Sequence, residues 1–181
     1  MIFQKTIIEG AWLVELNRLG DDRGFFARTW CREEFENRGI TVDLRQANMS
    51  FSAKAGTLRG MHFQRGEDAE MKLVRCVRGA IFDVVLDLRK GSPTFGRWEG
   101  VELTAENRRM LVVPEGCAHG FQTLVGDSEV FYLVSAAYAP ESEGGVRWDD
   151  PAFGIKWPLP VSEISAKDAA HTDFRTGVDE L

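Results

Sequence analysis

Histidine, tyrosine and cysteine are scarce in this sequence, long apolar runs are missing, and positive charge is in the minority; each shortage removes a class of function. Of 181 residues, only three are His, two Tyr and three Cys. Cys31, Cys76 and Cys117 are odd in number, widely spaced and contain no Cys-x-x-Cys pair, so neither a disulfide framework nor a thiolate zinc site is expected, and a reducing cytoplasm fits. Lys plus Arg number 22 against 28 Asp plus Glu, a net charge of -6 that repels nucleic acid rather than collecting it. No apolar stretch reaches bilayer length, and Met1-Ile2-Phe3-Gln4-Lys5-Thr6 lacks the basic start and apolar core of a signal peptide. Pro and Gly are scattered, without Ser-rich, Gln-rich or repeated blocks, so one domain over residues 1–181 is expected, with neither linker nor solenoid.

What is present is a series of short Val-, Leu-, Ile- and Phe-rich runs separated by turn residues, the pattern of an all-β barrel or sandwich. The clearest strand is Ala80 to Leu88. Phe82, Val84, Leu86 and Leu88 fall on one face and Ile81, Asp83, Val85 and Asp87 on the other, so two carboxylates share a face. Further strands are expected at Ala11–Leu16, Phe25–Trp30, Leu58–Phe63, Met71–Arg78, Trp98–Leu103, Arg109–Val113, Gly120–Leu124 and Glu129–Ser135. Short helices are expected at Glu33–Arg38, ending near Gly39, and at Ser165–Ala170.

Several polar residues do not suit a plain apolar core. His62 and Gln64 share a face of an otherwise apolar strand; a strand His is more often structural than catalytic, so its company must decide. Lys72 lies in register with Val74 and Cys76, where burial is costly unless it is paired or snorkels to a rim. His119 is flanked by small residues that permit close approach of a ligand or backbone. Tyr132 needs a partner for its phenol within an apolar strand, and Tyr138 shares its face if the strand runs that far. With only three His, and Gln64 where a second strand imidazole would stand, a metallocupin site is not expected; His171, in a polar C-terminal stretch, is expected to be solvated.

Longer motifs carry a resemblance. Asp22-Arg23-Gly24-Phe25-Phe26, Gly56-Thr57-Leu58-Arg59-Gly60-Met61-His62-Phe63-Gln64, Lys72 through Gly79, Ser92-Pro93-Thr94-Phe95-Gly96, Pro114 through Phe121 and Arg147-Trp148-Asp149-Asp150-Pro151 occur in order. Together the chain resembles the dTDP-4-dehydrorhamnose 3,5-epimerases. The resemblance implies an all-β, cupin-type jelly-roll barrel with a few short helices, and a homodimer whose N-terminal segments exchange to complete each partner's site. It also implies a nucleotide-linked 4-keto-6-deoxyhexose as substrate and no cofactor. By position, His62 takes the role of general base, Tyr132 that of general acid, and Asp168 that of the carboxylate orienting the base. Arg23, Phe26, Arg28, Gln46, Asn48, Arg59, Lys72, His119, Glu143 and Lys167 match substrate-contact positions, and Tyr138 matches the aromatic that stacks on the nucleotide base.

The chemistry makes these residue types intelligible. Inverting a carbon beside a ketone requires a base on one side of the sugar and an acid on the other, and the enolate oxygen needs a positive neighbour, for which Lys72 is the candidate. Asp168, or alternatively Asp83, would fix the imidazole tautomer, and Arg23 and Arg59 suit a diphosphate. Arg28 departs from the family pattern, which has Glu there; Ala47, Met49 and Cys117 replace the more usual Asp, His and Phe. The nearest rival readings are an epimerase that inverts one carbon only and a non-catalytic carbohydrate-binding cupin.

Overall fold

A computed structural model describes residues 1–181. Its strands are β1 (Ile2–Lys5), β2 (Trp12–Glu15), β3 (Leu19–Asp21), β4 (Gly24–Phe26), β5 (Gln46–Ser52), β6 (Thr57–Gln64), β7 (Lys72–Arg78), β8 (Ala80–Asp87), β9 (Trp98–Thr104), β10 (Met110–Val113), β11 (Cys117–Thr123), β12 (Ser128–Val134), β13 (Glu143–Gly145) and β14 (Glu163–Ile164). The helices are α1 (Arg32–Glu36) and α2 (Ala166–Ala169). One sheet has the order β1-β2-β10-β7-β12-β5 and the other β13-β6-β11-β8-β9, with β14 added parallel to β6; β3 and β4 form a separate hairpin. This is the expected all-β roll of two sheets with minor helix.

Strand alternation sorts the apolar residues into three layers. Val74, Cys76, Leu111, Val113 and Val130 of the first sheet meet Ile81, Val85, Leu103 and Phe121 of the second in one cluster between the sheets. Val14, Leu73, Met110 and Val112 face the opposite way and are covered by Phe35 of α1 together with Ile40 and Val42. On the outside of the second sheet, Met61, Phe63, Val84, Leu86 and Leu88 are roofed by Val146, Ile155, Phe153, Trp157 and Phe174 of the C-terminal segment. Each fully buried Leu, Ile or Phe contributes about 1.5–3 kcal/mol, so this roofing fixes the C-terminal segment on the sheet that carries His62.

Three expectations need correction, and one strand has no counterpart among them. The strand expected at Phe25–Trp30 ends at Phe26, because β4 pairs only with the exposed β3 and has no sheet to extend along. Strand β5 escapes the hydrophobic pattern, since its inward residues are polar and its apolar Met49 and Phe51 are exposed. Strand β12 stops at Val134, so Tyr138 does not continue the face of Tyr132. His171 is not solvated: its ring lies 6.3 Å from that of His62, and its Nε2 is buried.

The shared carboxylate face of β8 is present, with Asp83 and Asp87 both fully buried. Asp87 accepts from Arg89, Ser92 and Thr94. Burial opposes its ionisation, but these hydrogen bonds outweigh it and bring the carboxyl down to about 2. It pins the turn between β8 and β9 and has no part in the site.

Candidate active site

An irregularity in β6 builds the centre of the site. His62 pairs with His119 of β11, yet Arg59 pairs with Phe121, so three steps along β6 match two along β11. The extra residue is a β-bulge, which reverses the side-chain parity of everything beyond it. Regular alternation would put Arg59 and His62 on opposite faces; the bulge turns both inward, beside His119 and Phe121. Gly60 makes it possible. Its φ is +132°, and a Cβ there would lie 2.5 Å from the Cα of Gly120, so no other residue fits.

The bulge frees a backbone N–H, and Asp168 takes it. One Asp168 oxygen accepts from the Gly60 amide at 3.1 Å and the other faces His62 Nε2 at 2.8 Å. Strand β14 runs parallel to β6, and α2 follows with Ser165 as its N-cap, accepting from the Asp168 amide at 3.0 Å. Burial opposes ionisation of Asp168, but hydrogen bonds from His62, Gly60 and Ser165 and the imidazole charge bring it down to about 2. A permanent carboxylate at Nε2 holds the proton of neutral His62 on that nitrogen and leaves Nδ1 as the basic one. Asp83, the other candidate for this duty, instead faces His119 Nε2 at 2.8 Å. His119 is therefore bonded to a carboxylate.

Opposite His62, the first sheet contributes Tyr132 and Lys72. Tyr132 pairs with Asn48 on one side and Val74 on the other, and Lys72 pairs with Val134, so these residues share the inward face. Lys72 is buried and paired with Glu70 at 3.1 Å; it is not a rim lysine. Burial first, and then the charge of Glu70, raise the Tyr132 phenol above its usual 10, with Arg59 opposing. His62, Tyr132, Lys72, His119 and Arg59 line one cavity of about 470 Å³, within the size range of small-molecule sites.

A second hollow of about 310 Å³ shares His62, Lys72 and Tyr132 with the first and continues past Gln46, Asn48, Tyr138 and Glu143. Tyr138 donates to Glu143 at 2.7 Å, its amide donates to Gln46 Oε1 at 3.1 Å, and Lys167 pairs with Glu143. The Tyr138 ring is exposed, so its face is open to stacking. Gln64 bonds Asp68, Ala137 and Ala139 and holds the adjoining loop. Lys72, His62, His119 and Lys167 each have a carboxylate partner. Arg59 bonds only Ser52 and the Phe51 carbonyl, so it is the cavity's cation with no carboxylate to neutralise it.

Arg23, Phe26 and Arg28 are not brought to this cavity. Arg23 is exposed and bonded to Asp21, Phe26 is 68% exposed, and Arg28 lies 3.6 Å from Glu34. Conversely, Ser50, Glu70 and His171 belong to the site's surroundings and were not anticipated. The period-two pattern running from Gln46 was the available signal for Ser50; the position of His171 depends on the roofing of the C-terminal segment, which has no local signature.

The two-sheet fold, with a carboxylate-oriented imidazole facing a phenol and a lysine across one cavity, defines a cupin-type site suited to proton transfer at carbon. The family model for dTDP-4-dehydrorhamnose 3,5-epimerase matches residues 5–176. The chain is 51% identical over 172 residues to the dTDP-4-dehydrorhamnose 3,5-epimerase of Salmonella typhimurium, covering 94% of this chain and 93% of that one. A crystal structure of the Bacillus anthracis enzyme with TDP and pyrophosphate bound superimposes with a TM-score of 0.92 at 43% identity, covering 96% and 99% of the two chains. A 3'-monoepimerase from Streptomyces bikiniensis in complex with dTDP-quinovose gives 0.85 at 37% identity, covering 93% and 85%. The chain belongs to the dTDP-4-dehydrorhamnose 3,5-epimerase family.

Proposed function

We propose that the chain is an isomerase that inverts C3 and C5 of dTDP-4-dehydro-6-deoxy-D-glucose, giving dTDP-4-dehydro-L-rhamnose. The observation that carries the reading is the opposition of His62 and Tyr132, which project from facing sheets into one cavity beside Lys72. The C4 ketone acidifies the protons on both of its neighbours, so a base and an acid on opposite sides suffice, each contributing about 10²- to 10⁴-fold. His62 Nδ1 removes the carbon-bound proton, and the electron pair moves into an enolate whose charge settles on the former ketone oxygen. Lys72 stabilises that oxygen, a duty worth roughly 3–4 kcal/mol per donor. Tyr132 returns a proton to the opposite face, and both groups reset by exchange with water. Asp168 stays ionised and stabilises the imidazolium formed in the first step.

Arg59, with no neutralising carboxylate, suits the diphosphate, and Tyr138 with Gln46, Asn48, Glu143, Lys167 and His119 forms the remaining substrate wall. Nucleotide binding is supported by the TDP bound in the Bacillus anthracis relative. We further propose a cytoplasmic homodimer in which Arg23, Phe26 and Arg28, around the β3–β4 hairpin, enter the partner's cavity. Exposed Leu19, Phe25, Phe26, Met49 and Phe51 support a covered surface. Sheets that enlist strands from β1 to β14 support a single domain over residues 1–181.

The test is incubation with dTDP-4-dehydro-6-deoxy-D-glucose in deuterated water, followed by NMR. Deuterium at both C3 and C5 is expected; label at one carbon alone would make the chain a monoepimerase, and label at neither would remove the assignment.

A further inference from the structure

We propose that His62, Asp168 and His171 form an inhibitory site for a transition-metal dication of the imidazole-binding class, such as Zn²⁺, which silences the base by holding it in the wrong tautomer. The silencing half of this rests on the reading of His62 as the base. One donor atom from each of the three residues lies within 4.8 Å of the others. An ion held at about 2.0–2.2 Å from each donor draws them to roughly 3.5 Å apart, so a ring movement of about an ångström closes the site. Two imidazoles and a carboxylate with an open fourth position form a donor set that zinc accepts.

Two independent features show that the third donor is built in. His171 Nε2 is buried with no hydrogen-bond partner, an unfavourable state that a bound cation relieves. Its ring fits there only because residue 145, paired with His62 across β13 and β6, is glycine: a Cβ would lie 2.3 Å from that same Nε2. The His171 amide also donates to the Asp168 carbonyl at 3.4 Å, so one turn of chain presents two of the three ligands.

The consequence for catalysis follows from where the proton must go. A cation shared with Asp168 takes His62 at Nε2, the nitrogen that faces the carboxylate. The neutral ring keeps one proton, which moves through solvent to Nδ1, and the lone pair that accepts the sugar's proton is gone. Arg59 and Tyr138 are untouched, so substrate binding persists while turnover fails.

The experiment titrates Zn²⁺ into the metal-free, full-length protein by calorimetry and measures deuterium exchange in parallel. One Zn²⁺ per chain in the micromolar range or tighter is expected. The exchange rate should fall in step with occupancy through kcat at unchanged KM, and chelation should restore it. His171→Gln and His171→Ala should each weaken Zn²⁺ binding by roughly tenfold or more while leaving the zinc-free rate unchanged. Absence of stoichiometric binding, or binding that both variants leave unchanged, overturns the site whatever the activity. Stoichiometric, His171-dependent binding with a raised KM, or with no effect on the rate, overturns the tautomer mechanism. Inactivity of the zinc-free wild type counts only against the epimerase reading, since calorimetry still decides the site.

Discussion

Replacing Asp168 with Asn should cost turnover as well as stability, and the structure sets the size. The carboxyl is held at about 2 against an ordinary 3.8, so its surroundings favour the ionised form by about 2–3 kcal/mol at roughly 1.4 kcal/mol per unit. His62 and the Gly60 amide are the partners that impose this. Asn cannot satisfy both. With its carbonyl toward His62, its NH₂ meets the Gly60 N–H, leaving a buried donor unpaired. With its NH₂ toward His62, Nε2 must become the acceptor and the proton moves to Nδ1, which disarms the base. Either way the forming imidazolium loses its counter-charge, so kcat should fall roughly 30- to 150-fold or more, with KM little changed. Steady-state kinetics by product NMR, with a urea melt to confirm folding, measures both. A kcat within fivefold of wild type would refute the role assigned to Asp168.

Further outcomes follow from the same geometry. Because the Tyr132 phenol is raised above 10, its acid form persists through ordinary alkaline pH; activity should hold to pH 9 and fall only above about 10, and a loss centred below pH 9 in a pH–rate profile would exclude the phenol as the acid. Lys72→Met should lower kcat by roughly 10²- to 10³-fold, since it removes the charge beside the enolate, and should also lower stability, since it leaves Glu70 without its partner; a change confined to KM would make Lys72 a binding residue only. Asp87→Asn should destabilise the fold by about 2–3 kcal/mol at neutral pH. Its lowered pKa makes that contribution present above about 4 and lost as pH falls toward about 2, so wild type and variant should converge in acid-denaturation curves. Gly60→Ala combines a φ of +132° with a 2.5 Å approach to Gly120 and should cost at least about 2 kcal/mol in urea unfolding.

The sequence made most of the two-sheet architecture legible because its core strands obey alternation: β8 shows Asp83 and Asp87 on one face and Phe82, Val84 and Leu86 on the other, and the structure keeps that division. Strand β5 was missed because the same rule is inverted there, with polar Gln46, Asn48 and Ser50 facing the cavity and Met49 and Phe51 outward. The residues of the site could be named, but not how they come to meet. Regular alternation sends Arg59 away from His62, and only the bulge at Gly60 brings them to one face, a device fixed by contact with Gly120 on another strand. His171 escapes for a related reason: its surroundings are polar locally, and its Nε2 is buried against Gly145, a residue of β13 that pairs with His62.

The central claim is that His62 and Tyr132 act from opposite sides of the sugar, and Tyr132→Phe in deuterated water tests it most directly. The variant should still exchange the C3 and C5 protons, with His62 removing and returning them on one face, while the product's inverted configuration is lost; His62→Ala should abolish exchange altogether. Equal loss of exchange and inversion in Tyr132→Phe, or unchanged inversion, would contradict the account.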